Sequence, residues 1–288
     1  MAKKFIIITT ARSGSQMLCE FLNKQINIRC ELEILQSHKE RKYVRMYAKG
    51  KASYGCLESH LKCLEILGDD PSKFVGNRNR KFREFLKIWE DVVPSEYFGF
   101  KLFFKNHIGD YKLPVEDSIS YENFLKYIKD NDIKIIHLTR DNMLLKYISA
   151  ITSRATGVHS SSRTSRINSI SIEISYKRYL KFKKAILEEE QKAAKFCIEN
   201  NLPYYHVTYE NLVGKNHASF YKAILSHIGE DPELFVDIRD TPQQSKRKTN
   251  VYHITHKVSN LQNLIEEASA ANDTELLETI YIELAKEK

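Results

Sequence analysis

The chain has 288 residues, and its 45 Lys and Arg against 37 Asp and Glu give a formal net charge of +8. This length permits two domains, but α/β folds of this size often form one, so we expect a single domain over residues 1–288. No segment is apolar over the roughly 18 residues of a membrane span, and the five cysteines form no C-x-x-C or Cys/His pattern, which argues against a transmembrane protein, a disulfide framework and a metal site.

The positive net charge suits an anionic ligand, but nucleic acid or a membrane surface would also attract it. The first predicted strand begins by about Lys4, which leaves no room for a signal peptide or an N-terminal anchor. Without a disulfide pattern, the cysteines are expected to be reduced and mostly buried thiols. We therefore expect a soluble, cytoplasmic protein.

The N-terminal stretch predicts a strand, a loop of small residues and a helix. The strand is the run Phe5–Thr9, whose residues are apolar or β-branched. The helix follows from the i, i+3, i+4 spacing of apolar residues at Met17, Leu18, Phe21 and Leu22.

The loop between this strand and this helix has the character of an anion site. Ser13, Gly14 and Ser15 would direct backbone N–H groups at a ligand above the helix N-terminus, where the dipole is positive. Arg12 adds a full positive charge, and a phosphate is the anion we expect. The alternative is an ordinary strand-to-helix turn in which a serine caps the helix.

The loop is not a Walker A sequence, because Gly14 has no glycine five positions before it and no G-K-[ST] follows. It resembles the 5′-phosphosulfate-binding loop of sulfotransferases, commonly P-R-S-G-S-T, with Ala11 in place of proline and Gln16 in place of threonine. By this resemblance, Arg12 and the amides of residues 13–16 hold the 5′-phosphosulfate of 3′-phosphoadenosine 5′-phosphosulfate (PAPS). Gln16 can also donate from its side chain.

The segment after the first helix holds a candidate catalytic base. Residues 29–35, R-C-E-L-E-I-L, resemble the R-C-H-G-E-I-F pattern of bacterial carbohydrate sulfotransferases. By that resemblance Glu33 accepts the proton of the attacking hydroxyl, which requires hydrogen-bond reach and a pKa not far from neutral. Glu31 and Glu33 are both expected close behind the anion loop, and two surface glutamates are the alternative.

A second strand is predicted over Tyr97–Phe104, followed by Lys105-Asn-His107. Active-site groups of open α/β sheets collect at strand ends, where this histidine lies. The run G-F-K-L-F-F also resembles the corresponding sulfotransferase strand, and K-x-H resembles the cytosolic subgroup, in which the histidine is the base. His107 is therefore the second candidate base, or a partner that polarises the acceptor; a structural histidine is the alternative.

Residues 120–139 predict a helix followed directly by a strand. Ser120 begins a segment with apolar residues on one helical face, and Asp132–Thr139 is a mostly apolar run. Strand, helix and strand at this spacing predict a parallel sheet.

The second signature begins where that strand ends. Arg140 follows the strand, and Ser149 comes nine positions later in a predicted helix. The segment resembles the bacterial R-x-N-x-L…S pattern continued by T-G-V, which residues 156–158 match. By resemblance Arg140 and Ser149 bind the 3′-phosphate of PAPS. The alternative is a plain amphipathic helix with a capping arginine.

The middle of the chain predicts a loop and a long helix. Residues 155–175 are rich in serine and lack a clear period, so we expect a mobile loop. The equivalent region often covers the acceptor in this family, so Arg163 and Arg166 either contact an anionic sugar or are solvated. Residues 173–200 predict a lysine-rich helix. We expect its apolar side chains in the core: Tyr179, Leu180, Ile186, Leu187, Ala194 and Ile198.

A further strand, Pro203–Thr208, is predicted before Tyr209. The segment Y-E-N-L that begins there resembles the family's Y-E-x-L element, in which the tyrosine contacts adenine. Stacking a base on an aromatic ring is chemically sensible, and a buried, hydrogen-bonded tyrosine is the alternative. A helix is expected from His217 to Gly229.

The basic cluster at residues 246–248 lies where relatives place their last phosphate-binding cation, and Arg247 is the preferred member. The helices expected within 259–288 are structural.

Taken together, these segments resemble PAPS-dependent sulfotransferases, closest to the bacterial carbohydrate branch. The resemblance implies an α/β, P-loop-like three-layer fold with a central parallel β-sheet flanked by helices. It implies sulfuryl transfer from PAPS to a hydroxyl of a carbohydrate or glycolipid, leaving 3′,5′-adenosine bisphosphate (PAP), without a metal. Two other classes stay open: a P-loop nucleotide kinase-like phosphotransferase, which the missing G-K-[ST] disfavours, and a basic nucleic-acid-binding protein, which the dispersed basic residues disfavour.

Overall fold

The apolar runs that predict strands form one parallel sheet. The structure, a computed structural model, describes residues 2–31, 86–87, 90–91, 95–104, 108, 120–157, 170–237 and 254–287. The strands in these ranges are β1 (Lys3–Thr9), β2 (Ile28–Glu31), β3 (Tyr97–Phe103), β4 (Lys134–Thr139) and β5 (Tyr204–Thr208). They lie in the order β2-β3-β1-β4-β5, and every neighbouring pair is parallel. The predicted α/β class with a central parallel sheet is confirmed.

β1 occupies the centre of this sheet. Its residues Phe5–Ile8 are each at most 1% exposed, as expected for a parallel strand that is covered on both faces. The chain passes from β1 to β2 and β3 on one side and later crosses to β4 on the other. The carboxyl end of β1 therefore lies where the strand order reverses, which is where open α/β sheets bind ligands.

Helices cover the sheet in the three-layer arrangement that the sequence predicts. The helices within the described ranges are α1 (Ser15–Leu22), α2 (Tyr121–Asp130), α3 (Met143–Thr156), α4 (Tyr176–Glu199), α5 (Tyr209–Val213), α6 (His217–Ile228), α7 (Ile254–Lys257), α8 (Leu261–Ala270) and α9 (Thr274–Ala285). α2 and the last part of α4 share an apolar core with β1, β3 and β4, in which the rings of Phe124 and Phe196 stack. α1 and α6 also pack on the strands, and the rings of Phe21 and Tyr221 join them at 3.9 Å between centroids.

The chain forms two compact units. The sheet unit comprises Met1–Thr139 and Glu189–Val236, and the helical unit comprises Arg140–Glu188 and Asp237–Lys288, so α4 contributes to both. The helical unit has its own apolar core, to which α3, the first part of α4, α7, α8 and α9 contribute. Within the described residues, no helix is long and apolar enough to cross a membrane.

The expectation that the apolar side chains of α4 lie in the core is wrong for three of them. Tyr179 and Ile186 are 2% and 8% exposed. The exposed ones are Leu180 at 39%, Leu187 at 38% and Ile198 at 65%. A helix turns by about 100° per residue, so Leu180 and Leu187 are rotated by that angle from the buried residues just before them. The buried stripe continues instead through Glu190, Ala193 and Cys197.

The boundaries of two other predicted segments can be compared with the structure. The helix expected from Ser120 is confirmed, and the Ser120 hydroxyl accepts a hydrogen bond from the Asn123 amide at 3.2 Å. The loop expected over 155–175 overlaps ordered structure at both ends, because α3 extends to Thr156 and Ile174 is fully buried. Residues 158–169, which include Arg163 and Arg166, lie outside the described residues.

Candidate functional site

The segment that joins β1 to α1, residues 10–14, has two residues in the left-handed backbone region. Arg12 has a φ of 67° and Gly14 a φ of 80°. This region costs about 1–2 kcal/mol for residues other than glycine, so the half-buried Arg12 is held there by the structure around it. Residues 10–14 are called the β1–α1 loop below.

The N-terminus of α1 is open at this loop. Gly14 is the N-cap residue and provides no side-chain hydrogen bond, so the alternative prediction of a serine cap is wrong. In the part of the chain that the structure describes, no backbone carbonyl accepts a hydrogen bond from the N–H groups of residues 13–16. Amides without a backbone acceptor at a positive helix end are the groups that bind anions in proteins, so the geometry is compatible with the predicted anion site.

The polar side chains of this region bond within the protein. Ser13 is fully buried, with its Oγ 3.1 Å from Oγ1 of Thr10. Thr10 Oγ1 donates in turn to Oε1 of Glu190 at 2.9 Å. The side-chain amide of Gln16, a predicted extra donor to the ligand, donates to Glu20 Oε1 at 2.9 Å within α1. The capacity to bind an anion therefore lies in the backbone amides and Arg12.

Tyr209 lies against the β1–α1 loop because of a tight turn after β5. Thr208 and Asn211 form a capping box: Thr208 Oγ1 accepts from the Asn211 amide at 3.2 Å, and Asn211 Oδ1 accepts from the Thr208 amide at 3.1 Å. α5 therefore begins at Tyr209, whose ring packs on Gly14. A Cβ added to Gly14 would lie 2.3 Å from Cδ2 of that ring, so both the φ and this contact require glycine.

The predicted 3′-phosphate residues lie at the start of the helical unit. Arg140 follows β4 directly and is half-buried, and Ser149 is 7% exposed within α3. The cap of α3 is Asn142, whose Oδ1 accepts from the Leu145 amide at 2.9 Å, so the alternative of a capping arginine is wrong. Ser149 comes seven positions after Asn142, which is about two helical turns, so the two residues share one face of α3.

Glu31, one of the two carboxylates expected behind the loop, forms a buried ion pair. Arg29 Nε lies 3.2 Å from Glu31 Oε1, and the two side chains are 6% and 0% exposed. The Arg29 guanidinium also lies 4.6 Å from the centroid of the Phe98 ring. Burial and pairing keep Glu31 out of reach of a substrate hydroxyl. β3 separates β2 from β1, so the end of β2 lies two strands, or roughly 10 Å, across the sheet from β1. Glu31 pairs with Phe100, which pairs with Ile6, so β2 ends level with the middle of β1 and before the loop.

Three assigned residues, Glu33, His107 and Arg247, lie outside the described residues, and their roles stay predictions. Glu190 and Thr10, by contrast, were not expected from the sequence to take part in the site. Counting three and four residues along α4 from the buried Tyr179 would have placed Glu190 on the core side, and a carboxylate at a core position is a signal of a specific hydrogen-bonding role.

Comparison with known proteins assigns no family, since no protein-family model and no curated protein matches the chain. Across the described residues, no group of three or more His, Cys, Asp or Glu side chains is arranged to hold a metal ion. The chemistry of the site is that of backbone amides, an arginine and an aromatic ring around the carboxyl end of β1.

Proposed function

We propose that this chain is a sulfotransferase that moves a sulfuryl group from PAPS to a hydroxyl group of a carbohydrate or glycolipid. The observation that carries the proposal is the contact of Tyr209 with Gly14. These residues belong to the two sequence segments that resemble the family's 5′-phosphosulfate loop and its adenine-contacting tyrosine. A tertiary contact between segments so far apart in sequence is not required by either local pattern alone, and it supports their common role.

The donor would be held at its 5′ side by the β1–α1 loop. The amides of residues 13–16 have no backbone acceptor among the described residues, and they suit the oxygens of a phosphosulfate. Arg12 supplies the full positive charge. Because the Ser13 hydroxyl bonds to Thr10 and the Gln16 side chain bonds to Glu20, backbone amides of the loop rather than these side chains would make the contacts.

Transfer would proceed by attack of the acceptor oxygen on the donor sulfur. A new oxygen–sulfur bond forms while the bond from sulfur to the 5′-phosphate oxygen breaks, and that oxygen keeps the electron pair. The loop amides and Arg12 stabilise the negative charge that develops on the leaving phosphate. The proton of the acceptor hydroxyl passes to Glu33, with His107 as the other candidate base.

The 3′ side of the donor would be recognised separately. Arg140 and Ser149 are assigned to the 3′-phosphate and Arg247 to a supporting contact, while the ring of Tyr209 is assigned to adenine. This division predicts that the 3′-phosphate, which ATP lacks, decides nucleotide preference.

A thermal-unfolding screen with PAP, ATP with Mg²⁺, and a single-stranded oligonucleotide tests the proposal. A ligand present at 100 times its Kd stabilises a protein by about 2.7 kcal/mol, so specific binding raises the Tm measurably. We expect a shift with PAP alone. A larger shift with ATP and Mg²⁺ would favour a kinase-like enzyme, and binding to the oligonucleotide that falls steeply with salt would favour a nucleic-acid-binding protein.

Two variants separate binding from chemistry. Arg140→Ala should weaken the binding of PAP, with less effect on adenosine 5′-monophosphate, which lacks the 3′-phosphate. Arg154→Ala, at an exposed position of the same helix, is the matched control and should change neither affinity. Glu33→Gln should lower PAPS-dependent sulfation of a carbohydrate panel while PAP binding stays near normal. Full activity of Glu33→Gln together with an inactive His107→Ala would move the base assignment to His107.

A further inference from the structure

A buried carboxylate lies behind the β1–α1 loop, where an anion site would be expected to exclude negative charge. Glu190 is 8% exposed and comes from α4, on the buried stripe of that helix. It accepts a hydrogen bond from Thr10, the first residue after β1, at 2.9 Å. Thr10 also lies 3.1 Å from the hydroxyl of Ser13, in the middle of the loop. The three side chains form a chain of hydrogen bonds, which we name the Glu190 relay.

The relay has a direction. A threonine hydroxyl carries a single hydrogen, and an ionised carboxylate only accepts hydrogen bonds. Because Thr10 donates its hydrogen to Glu190, the hydrogen in the Thr10–Ser13 contact comes from Ser13. The Ser13 hydroxyl therefore points its only hydrogen into the protein and not toward a ligand. The Ser13 side chain therefore has no hydrogen left to donate to an anion.

The relay also acts at the strained part of the loop. Ser13 is the single residue between Arg12 and Gly14, which both have positive φ values. Arg12 adopts this conformation against its own preference, so other interactions have to hold the backbone there. An anchor on the side chain of Ser13 fixes the residue between the two left-handed positions, and thereby fixes the directions of the amides on either side.

We infer that Glu190 is a positioning residue, which orients the loop amides toward the 5′-phosphate side of the ligand through Thr10 and Ser13. This inference rests on the proposed function, and it adds that the Ser13 side chain serves the loop and not the ligand. The Glu190 carboxylate thus acts through hydrogen bonds, although its negative charge lowers the positive electrostatic potential at the loop.

Calorimetric titration with two probes tests the inference: PAP, and adenosine 3′-monophosphate, which lacks the 5′-phosphate. In the wild type, the Kd of adenosine 3′-monophosphate divided by the Kd of PAP measures what the 5′-phosphate contributes to affinity. Glu190→Ala should lower this ratio about tenfold, as expected for losing hydrogen bonds that involve a charged group, and should leave the affinity for adenosine 3′-monophosphate unchanged. Glu190→Gln, which retains an acceptor oxygen for Thr10, should restore the ratio to within about threefold of the wild type.

The control is Glu188→Ala, at an exposed position of the same helix, and it should leave the ratio unchanged. Ser13→Ala should lower the ratio in the wild type but have little further effect in Glu190→Ala, because the two substitutions interrupt the same chain of hydrogen bonds. An unchanged ratio in Glu190→Ala would overturn the inference, as would an equal effect of Ser13→Ala in both backgrounds. If Glu190→Ala does not fold, an unchanged ratio in both Thr10→Val and Ser13→Ala would overturn it. A wild type that binds neither probe would instead refute the proposed function, on which the inference depends.

Discussion

Gly14→Ala is the substitution that tests the assembly of the site most directly. Alanine at this position keeps the backbone in the left-handed region, where Gly14 has a φ of 80°, and adds a methyl group toward Tyr209. The new Cβ would lie 2.3 Å from Cδ2 and 2.9 Å from Cε2 of the ring. An ordinary contact between carbon atoms is longer, so the ring or the loop has to move by roughly 1 Å or more.

Two terms set the size of the effect. The left-handed conformation costs alanine about 1–2 kcal/mol, and overpacking against the half-buried Tyr209 ring adds about 1–3 kcal/mol. We therefore expect Gly14→Ala to lower the free energy of unfolding by about 2–5 kcal/mol. Gly157 is the matched control, because its φ is 65° and a Cβ there meets no heavy atom of the described residues within 4 Å. Gly157→Ala should lower the free energy of unfolding only by the cost of the left-handed conformation, about 1–2 kcal/mol.

Urea-induced unfolding of both variants measures this difference, and a second comparison shows whether Tyr209 causes it. In a Tyr209→Ala background the clash is absent, so Gly14→Ala should cost no more than Gly157→Ala. PAP affinity should fall with Gly14→Ala, since the displaced loop amides no longer converge. Equal costs for the two glycine substitutions in the wild type would refute the packing of Tyr209 on the loop.

Two predictions concern the core of the sheet unit. Burial raises the pKa of Cys197 to about 12, so its neutral thiol stabilises the fold fully below its unfolded pKa of about 8.5 and progressively less as the pH rises toward 12. In denaturant titrations between pH 9 and 11, the free energy of unfolding should fall more steeply with pH in the wild type than in Cys197→Ala. The difference between the two slopes should reach about 1.4 kcal/mol per pH unit. Gly99→Ala should lower stability by about 1–3 kcal/mol in thermal unfolding, because its Cβ would lie 2.2 Å from the Phe5 ring. In a Phe5→Leu background, the same substitution should lower stability by less.

The sequence predicts the fold where the pattern is local. Phe5–Ile8 is apolar at every position, which is typical of a strand covered on both faces. The strand predicted over Tyr97–Phe104, followed by the helix and strand of residues 120–139, favours parallel strands joined through a helix. The order of the strands is a tertiary property that no local pattern contains. Nothing in residues 28–31 indicates that β2 pairs with β3 and lies at the edge of the sheet.

The same distinction separates the predictable part of the site from the rest. Gly14 is indicated by its position between a strand and a helix, where a positive φ is common. Its contact with Tyr209 depends on how β5 ends, and that ending is set by the capping box of Thr208 and Asn211. The sequence gives little sign of a role for Glu190, because an acidic residue in a lysine-rich helix is usually solvated and only the helical period distinguishes it from its exposed neighbours.

Strand order also bears on the choice between the two candidate bases. β3 is the direct neighbour of β1, so the chain that leads to His107 leaves the sheet about 5 Å from the β1–α1 loop. The chain that leads to Glu33 leaves from β2, two strands or roughly 10 Å across the sheet from β1, at Glu31, which is level with Ile6. The resemblance favours Glu33 and the strand order favours His107, and the relative activities of Glu33→Gln and His107→Ala decide between a carboxylate and an imidazole as the proton acceptor.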